Sequence, residues 1–191
     1  MLPANAVQAA QHMLLPYLLQ ASVVVDATAG NGKDTLFLAK NTLPQAAVWA
    51  FDIQPSAIEN TSRILAAADL AEKVRLIQAS HDTLGSTLNQ PIDAVMFNLG
   101  YLPGSDRHIT TQPNTTLAAV EQAAHLLTIG GLMTIVVYPG HASGILENQV
   151  LQQFLSTLPQ QNFSVTCWSM LNQINNPPLL YAVEKRRELR R

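Results

Sequence analysis

Three aspartates and one asparagine close successive apolar runs, and their order is the first sign of chemistry in this chain. Asp26 ends "SVVVD", Asp52 ends "AVWAFD", Asp82 follows "KVRLIQASH", and Asn98 ends "IDAVMFN". An ionised carboxylate only accepts hydrogen bonds, through two oxygens, so it suits an ammonium, a pair of hydroxyls or an exocyclic amine. Asn98 offers a neutral amide oxygen instead and is followed three residues later by Tyr101. Between Asp26 and the next helical pattern lies "ATAGNGKD", with Gly30 and Gly32 one residue apart. Glycines in such a turn take positive φ and let the backbone approach a ligand, and Asp34 reads as the cap of the helix that follows.

The turn is not a dinucleotide cradle. That fingerprint, G-x-G-x-x-G, needs a third glycine where Thr35 stands, which argues against a nucleotide-dependent oxidoreductase. A ligand with a sulfonium and an amino-acid tail fits better. Asp26 would help hold the tail's ammonium. Asp52, 22 residues after Gly30, would accept from both ribose hydroxyls, and Asp82 from an adenine amino group. The expected contacts to S-adenosylmethionine are therefore Asp26, Thr28, Ala29, Gly30, Asn31 and Gly32 in the turn, Asp52 and Gln54 after the second run, Ser80, His81 and Asp82 after the third, and Asn98 after the fourth.

The segment after Asn98 suggests what receives the methyl group. Asn98 followed by Tyr101 resembles the N-P-P-Y signature of methyltransferases that act on nitrogen, with Leu99 and Gly100 in place of the prolines. An attacking amine must be unprotonated and must present its lone pair in line, so the site needs neutral acceptors that orient its N–H bonds. Asn98 Oδ1 and a carbonyl of Leu99 or Gly100 have that character, and Tyr101 could stack on a planar base for about 1–3 kcal/mol. Asp106, Arg107 and His108 add charge and a titratable ring to the same loop. "YPGH" places Tyr138 and His141 just past a fifth run. Asn98, Tyr101, Asp106 and His141 are the candidates for catalysis, and Leu99, Gly100, Tyr101, Arg107, His108 and Tyr138 for substrate contact. With an unperturbed pKa near 6.5, His141 could take the amine's surplus proton, or it could hydrogen-bond the loop closed. Glu147 either caps the next helix or orients the cleft. His12, His81 and His125 sit in helix or cap contexts and read as structural. No metal-ligand spacing such as H-E-x-x-H is present. The one cysteine, Cys167, reads as a buried apolar residue of a late strand, so no thiol serves the covalent route that methylation of a pyrimidine carbon would need.

These residues require a scaffold that brings strand ends together. Strand patterns at 22–27, 47–52, 73–78, 92–98 and 131–138 alternate with helical patterns near 33–41, 55–68, 82–88, 115–128 and 143–157. A leading helix is bent or ended near Pro16. Continuous apolar strands separated by helices predict a parallel sheet covered on both faces. After Pro159 two strand-like runs follow without a helix between them, which predicts an antiparallel pair. The whole is the layout of the α/β class I methyltransferase fold, Rossmann-like, with seven strands. The irregular stretch 99–114 is too polar and too rich in Gly and Pro for core, and loops of that length are commonly functional.

At 191 residues and 48% hydrophobic content the chain predicts a single domain. A formal charge of −2 and a pI near 6.2 exclude a generally basic coat for nucleic acid and leave room only for a local patch. Lys185, Arg186, Arg187, Arg190 and Arg191 form a basic tail, either solvated or touching phosphate. A single cysteine fits a reducing compartment, no Lys or Arg precedes Lys33 to make a secretory n-region, and no run of 18 residues is free of polar side chains. The expectation is a cytoplasmic protein, not a membrane one.

The combination "DATAGNGKDTLFLA", "FDIQ..AI", "NLGYLPGSDRHITT....T..A", "GG" and "YPGH..G..E" resembles one family closely, over residues 5 to 185. It is similar to the MnmM-type (YtqB-like) tRNA methyltransferases, a bacterial family earlier labelled rRNA methylases. The resemblance implies an S-adenosylmethionine-dependent enzyme that methylates the amine of 5-aminomethyl-2-thiouridine at the tRNA wobble position, with the tRNA anticodon loop as partner and a homodimer as a possible assembly. Carried over by position, Asp26, Gly30 and Gly32 match its cofactor turn, Asp52 its ribose acid and Asn98 the loop beside the methyl, while Asp106, Arg107 and His141 match its loop motifs. Within the same chemistry, an rRNA, a protein amide or a small amine is the alternative acceptor. A binding module that keeps the pocket without turnover is the alternative of another class.

Overall fold

A computed structural model of the chain describes residues 2–102 and 110–189. The expectations placed on Asp106, Arg107 and His108, and on Arg190 and Arg191, lie outside the described residues. The apolar runs form five parallel strands, β1 (Val23–Asp26), β2 (Ala47–Asp52), β3 (Val74–Gln78), β4 (Ile92–Asn98) and β5 (Leu127–Val137). β6 (Phe163–Trp168) and β7 (Leu179–Lys185) pair antiparallel, and β7 also lies antiparallel along β5. The sheet order is β3-β2-β1-β4-β5-β7-β6. Because β1 is flanked by β2 on one side and β4 on the other, strand order reverses there, and a crevice opens beyond the carboxyl ends of the two.

Alternation along the strands feeds two cores. Val24, Val48, Ala94 and Met96 pack with Leu14 and Leu18 of α1 (Ala6–Leu18), Leu38 of α2 (Lys33–Asn41) and Leu65 of α3 (Pro55–Ala67). Val25, Phe51, Val95 and Phe97 face the other way. They pack with Leu84 of α4 (Leu84–Leu88), Val120 and Ala123 of α5 (Pro113–Leu126), and Leu151 and Leu155 of α6 (Ala142–Thr157). Each fully buried Leu, Val or Phe contributes about 1.5–3 kcal/mol, so the two cores fix the strand ends on which the site is built.

The structure departs from the sequence reading in four places. α1 continues two residues past Pro16 and ends at Leu18, the proline costing only the bond its N–H would have given to the His12 carbonyl. β5 begins at Leu127, where the pattern suggested helix. Gly130, at φ 79°, and Gly131 form a bulge that shifts the pairing from Ile92–Leu127 to Ala94–Leu132, and a Cβ on Gly131 would lie 2.9 Å from the Asp93 carbonyl oxygen. The expected helix 82–88 is a 3-10 turn, His81–Thr83, followed by α4. Cys167 is exposed rather than buried, because β6 is the outermost strand of the sheet. Partial burial still pushes its thiol pKa up, which lowers its thiolate content.

The basic tail follows β7, whose Leu179 pairs with Val137 at the carboxyl end of β5 and whose Lys185 lies at the opposite end of the sheet. Lys185 is itself buried, donating from Nζ to the His125 carbonyl and pairing with Glu188 at 3.1 Å. No helix of the described residues is long and apolar enough to cross a membrane.

Candidate active site

Above the carboxyl ends of β1, β2, β4 and β5 lies a cavity of about 1060 Å³. That is slightly more than the range for small-ligand sites, about 300–1,000 Å³. Its walls come from the β1–α2 turn, the residues after β2 and β3, the loop after β4, the segment after β5, and residues 173–178 between β6 and β7.

In the β1–α2 turn, Gly30 sits at φ 53° and its N–H donates to Asp52 Oδ2 at 2.8 Å. Asp52 Oδ1 accepts from the Gln54 N–H at 2.9 Å, so both carboxylate oxygens are fixed by backbone while the side chain lines the cavity. Asp52 therefore does not cap α3. Asp26, by contrast, is fully buried and does not line the cavity. Its oxygens accept from the Thr28 N–H at 3.0 Å and from Thr35 Oγ1 at 2.6 Å, which locks the turn from behind. Burial pushes the Asp26 pKa up to about 7; the charges of Asp34 and Asp52 add to that shift, and the bonds from Thr35 and Thr28 oppose it. Within the turn, the acid that does line the cavity, alongside Asp52, is Asp34. It makes no cap bond to α2, whose N-cap is Gly32 without a side-chain acceptor. Instead Asp34 Oδ1 accepts from Gln11 Nε2 and Oδ2 from Asn98 Nδ2, both at 2.9 Å. Gly32, at φ 77°, lines nothing: a Cβ there would meet Thr61 of α3 at 2.9 Å, so its glycine serves packing.

Asn98 is held at three atoms. Its N–H donates to Thr28 Oγ1 at 2.8 Å, its Nδ2 to Asp34, and its Oδ1 accepts from the Tyr138 hydroxyl at 2.9 Å. The amide is thus oriented, with one lone pair of Oδ1 left for an N–H. Burial, then the charge of Asp34, raise the Tyr138 pKa, so the phenol stays a donor.

Residues 48–184 match the family described as "Putative rRNA methylase". The chain is 37% identical over 185 residues to the chloroplastic tRNA (mnm(5)s(2)U34)-methyltransferase of Arabidopsis thaliana, covering 91% of this chain and 68% of that protein. It belongs to the rRNA methylase family. A Clostridium thermocellum structure of the same description superposes with a TM-score of 0.94 at 38% identity, over 97% of this chain and 100% of that one. A Streptococcus mutans "putative methyltransferase" in complex with SAH gives 0.87 at 36% identity, over 96% and 99%. The sheet order and the antiparallel end make this chain a class I S-adenosylmethionine-dependent methyltransferase.

The loop that leaves β4 in the methylase is drawn back to the body at its base. Tyr101 bridges Thr110, Gly100 N–H donates to Thr111 Oγ1 at 2.9 Å, and the Gly100 carbonyl accepts from the Thr111 N–H at 3.0 Å. The Gly100 carbonyl is therefore already engaged, and Leu99 is buried. Tyr101 lines the cavity and is 40% exposed, as a stacking platform must be. Glu147 neither caps α6 nor reaches the cleft. It is buried and accepts from Thr111 Oγ1 at 3.1 Å and Thr116 Oγ1 at 2.7 Å, joining the loop to α5 and α6. Burial raises its pKa, against the two threonine bonds and nearby His141.

His141 is the N-cap of α6. Its Nδ1 accepts from the Gly144 N–H at 3.1 Å and lies 2.9 Å from Ser143 Oγ, which puts the ring proton on Nε2. In that tautomer the histidine is a donor, and service as a base would cost the cap. Ser80 and His81 line the cavity, with His81 edge-on to Phe97 at 6.0 Å and its pKa lowered by burial. Asp82 does not line it. On the 3-10 turn its backbone carbonyl accepts from Gln122 Nε2 of α5 at 2.7 Å. Thr28, Ala29, Asn31 and Gln54 all reach the cavity. Among the described residues no cluster of His, Cys, Asp or Glu could hold a metal ion.

Sequence reasoning missed three contributors: Asp34, which it read as a cap; Val7 and Gln11 of α1; and the β6–β7 connection. The spacing of Val7 and Gln11, one helical turn apart, was a readable sign that one face of α1 meets the turn.

Proposed function

We propose that this methyltransferase transfers a methyl group from S-adenosylmethionine to the amine of 5-aminomethyl-2-thiouridine at the wobble position of tRNA, giving the 5-methylaminomethyl form. The observation that carries the reading is Asn98: a neutral amide, oriented by Tyr138 and Asp34, on the wall of the cavity that Asp52 also lines. The substrate follows from the Arabidopsis relative, 37% identical along most of the chain.

The residues present fit the cofactor. Asp52 offers remaining lone pairs on two backbone-fixed oxygens to vicinal hydroxyls, Ser80 and His81 lie where a base would rest, and Asp34 faces the cavity as the carboxylate for a cationic tail. When bound, S-adenosylmethionine supplies an electrophilic methyl on a sulfonium whose departure leaves a neutral thioether. The chain's own work is positioning. Asn98 Oδ1 accepts one N–H of the amine, which leaves the lone pair free to aim; Tyr138 and Asp34 keep the amide from turning its donor inward. Tyr101 supplies a face for the pyrimidine, and Lys33, exposed at the cavity rim, a cation for a phosphate. The secondary ammonium product returns its extra proton to solvent through the open mouth.

The test is incubation with labelled cofactor and tRNA lacking the final methyl, followed by nucleoside mass spectrometry. Label in 5-methylaminomethyl-2-thiouridine is the expected result; label in another nucleoside, or none, refutes the substrate.

A further inference from the structure

The connection between β6 and β7, residues 169–178, reads "SMLNQINNPP" and enters the cavity wall with Gln173, Ile174, Asn175, Asn176, Pro177 and Pro178. Its shape is imposed by backbone: Asn175 and Asn176 both sit in the left-handed region, at φ 64° and 49°, where Asn is among the few residues tolerated. Two prolines then lead directly into β7. The carbonyl oxygens of Asn175 and Asn176 lie against Gly140, 3.8–3.9 Å from where a Cβ would stand, so the connection is seated on the segment that carries Tyr138 and His141.

What the connection presents is unusual for a surface. Leu171 is 97% exposed and Ile174 82%. Four side-chain amides, Asn172, Gln173, Asn175 and Asn176, accompany them, and none makes a side-chain hydrogen bond to another described residue. The stretch holds no charged residue. A surface built for phosphate carries Lys or Arg. One built only to dissolve in water does not expose two large aliphatic side chains within four residues. Amides that offer donor and acceptor together match base edges, and aliphatic side chains pack on base faces or wedge between them; both need bases that are unpaired and splayed.

We infer that residues 171–176 form a base-reading clamp for the unpaired nucleotide that neighbours the methylated one, Leu171 and Ile174 packing on its face and the Asn and Gln amides meeting its edge. This rests on the RNA reading above and goes beyond it, because it assigns recognition to an element outside the methyl-transfer machinery. Gln173, Ile174, Asn175 and Asn176 line the same cavity as Lys33 of α2, so a single-stranded loop entering it would meet both a cation and an amide-rich wall.

The test uses the full chain with two variants. Leu171→Ser with Ile174→Ser removes the apolar faces, and Asn175→Gly with Asn176→Gly removes two amides while keeping positive φ. Each should raise KM for undermodified tRNA by roughly ten-fold, the size of one lost base contact and a larger change than in kcat or in S-adenosylhomocysteine affinity. Wild-type turnover on tRNA beside variants of unchanged KM overturns the clamp alone. Variants that change only the oligomeric state, with KM intact, assign the patch to a contact between copies and also overturn it. A wild type without turnover on this tRNA removes the RNA reading and the clamp together.

Discussion

Asp26 gives the sharpest quantitative test of how the turn is built. The carboxyl is fully buried and its pKa is raised from 3.8 to about 7, so the folded state holds the proton more tightly than the unfolded chain. The sign follows: the group's contribution is fully present below 3.8 and is lost as pH rises through about 7. Asp26→Asn removes the titration while preserving both partners, since the amide oxygen can accept from the Thr28 N–H and the amide nitrogen can donate to Thr35 Oγ1. From pH 5 to 8 the wild type crosses the upper part of the window, pH 5 to about 7. At about 1.4 kcal/mol for each pH unit, this predicts that the wild type loses about 3 kcal/mol relative to the variant. Urea unfolding of ligand-free protein at the two pH values, extrapolated linearly, reads that difference directly. Groups that do not interact with Asp26 titrate alike in both proteins and cancel, while Asp34 and Asp52, coupled to it, titrate with it as one unit. A gap between variant and wild type that stays the same at pH 5 and pH 8 would refute the argument that burial, with Asp34 beside it, raises this carboxyl.

Four further outcomes are expected. Asp52→Ala weakens S-adenosylhomocysteine binding at least roughly ten-fold by calorimetry with an unchanged circular dichroism spectrum, since two charge-assisted bonds go with it; an unaltered affinity takes Asp52 out of the ribose site. Asn98→Ala lowers kcat about a hundred-fold while leaving that affinity within about two-fold, in proportion to lost positioning; a variant with normal turnover discredits the amine-orienting role. His141→Ala destabilises by about 1 kcal/mol in thermal unfolding whereas His141→Asn, which keeps a capping acceptor, does not; equal losses would mean the cap is not what the ring provides. Arg186→Ala with Arg187→Ala leaves tRNA affinity within about two-fold at fixed salt, because these side chains lie at the end of the sheet away from the cavity; a large loss would return the tail to the phosphate-binding surface.

The parallel core was legible because its signals are local. β1, β2 and β4 are apolar runs closed by Asp26, Asp52 and Asn98, and the strand-end rule converts that order into a cavity. Legibility failed where a residue's role depends on a neighbour distant in the chain. Asp34 looks like a cap until Gln11 and Asn98 are brought to it. Asp26 closes its strand as Asp52 does yet is fully buried, while Asp82 sits on a 3-10 turn four residues past the end of β3 and outside the cavity lining, differences that no pattern records. The fifth strand was expected from residue 131, but β5 begins at Leu127 and runs through Gly130 and Gly131, where the positive φ of Gly130 lets a bulge form. Cys167 shows the same limit in reverse: its strand is readable, its place at the sheet's edge is not. The β6–β7 connection has no titratable side chain to draw attention, and only its position marks it.

The bulge at the start of β5 has a practical use. Gly130 points away from the cavity, at the far end of the sheet, and nothing lies within 4 Å of where its Cβ would be. A tether attached at that end of the sheet would leave the mouth free, while Gly130 itself, at φ 79°, stays glycine. An anchored enzyme, or a descendant with an added module, can be built from that end with the catalytic rim still open to a large nucleic acid.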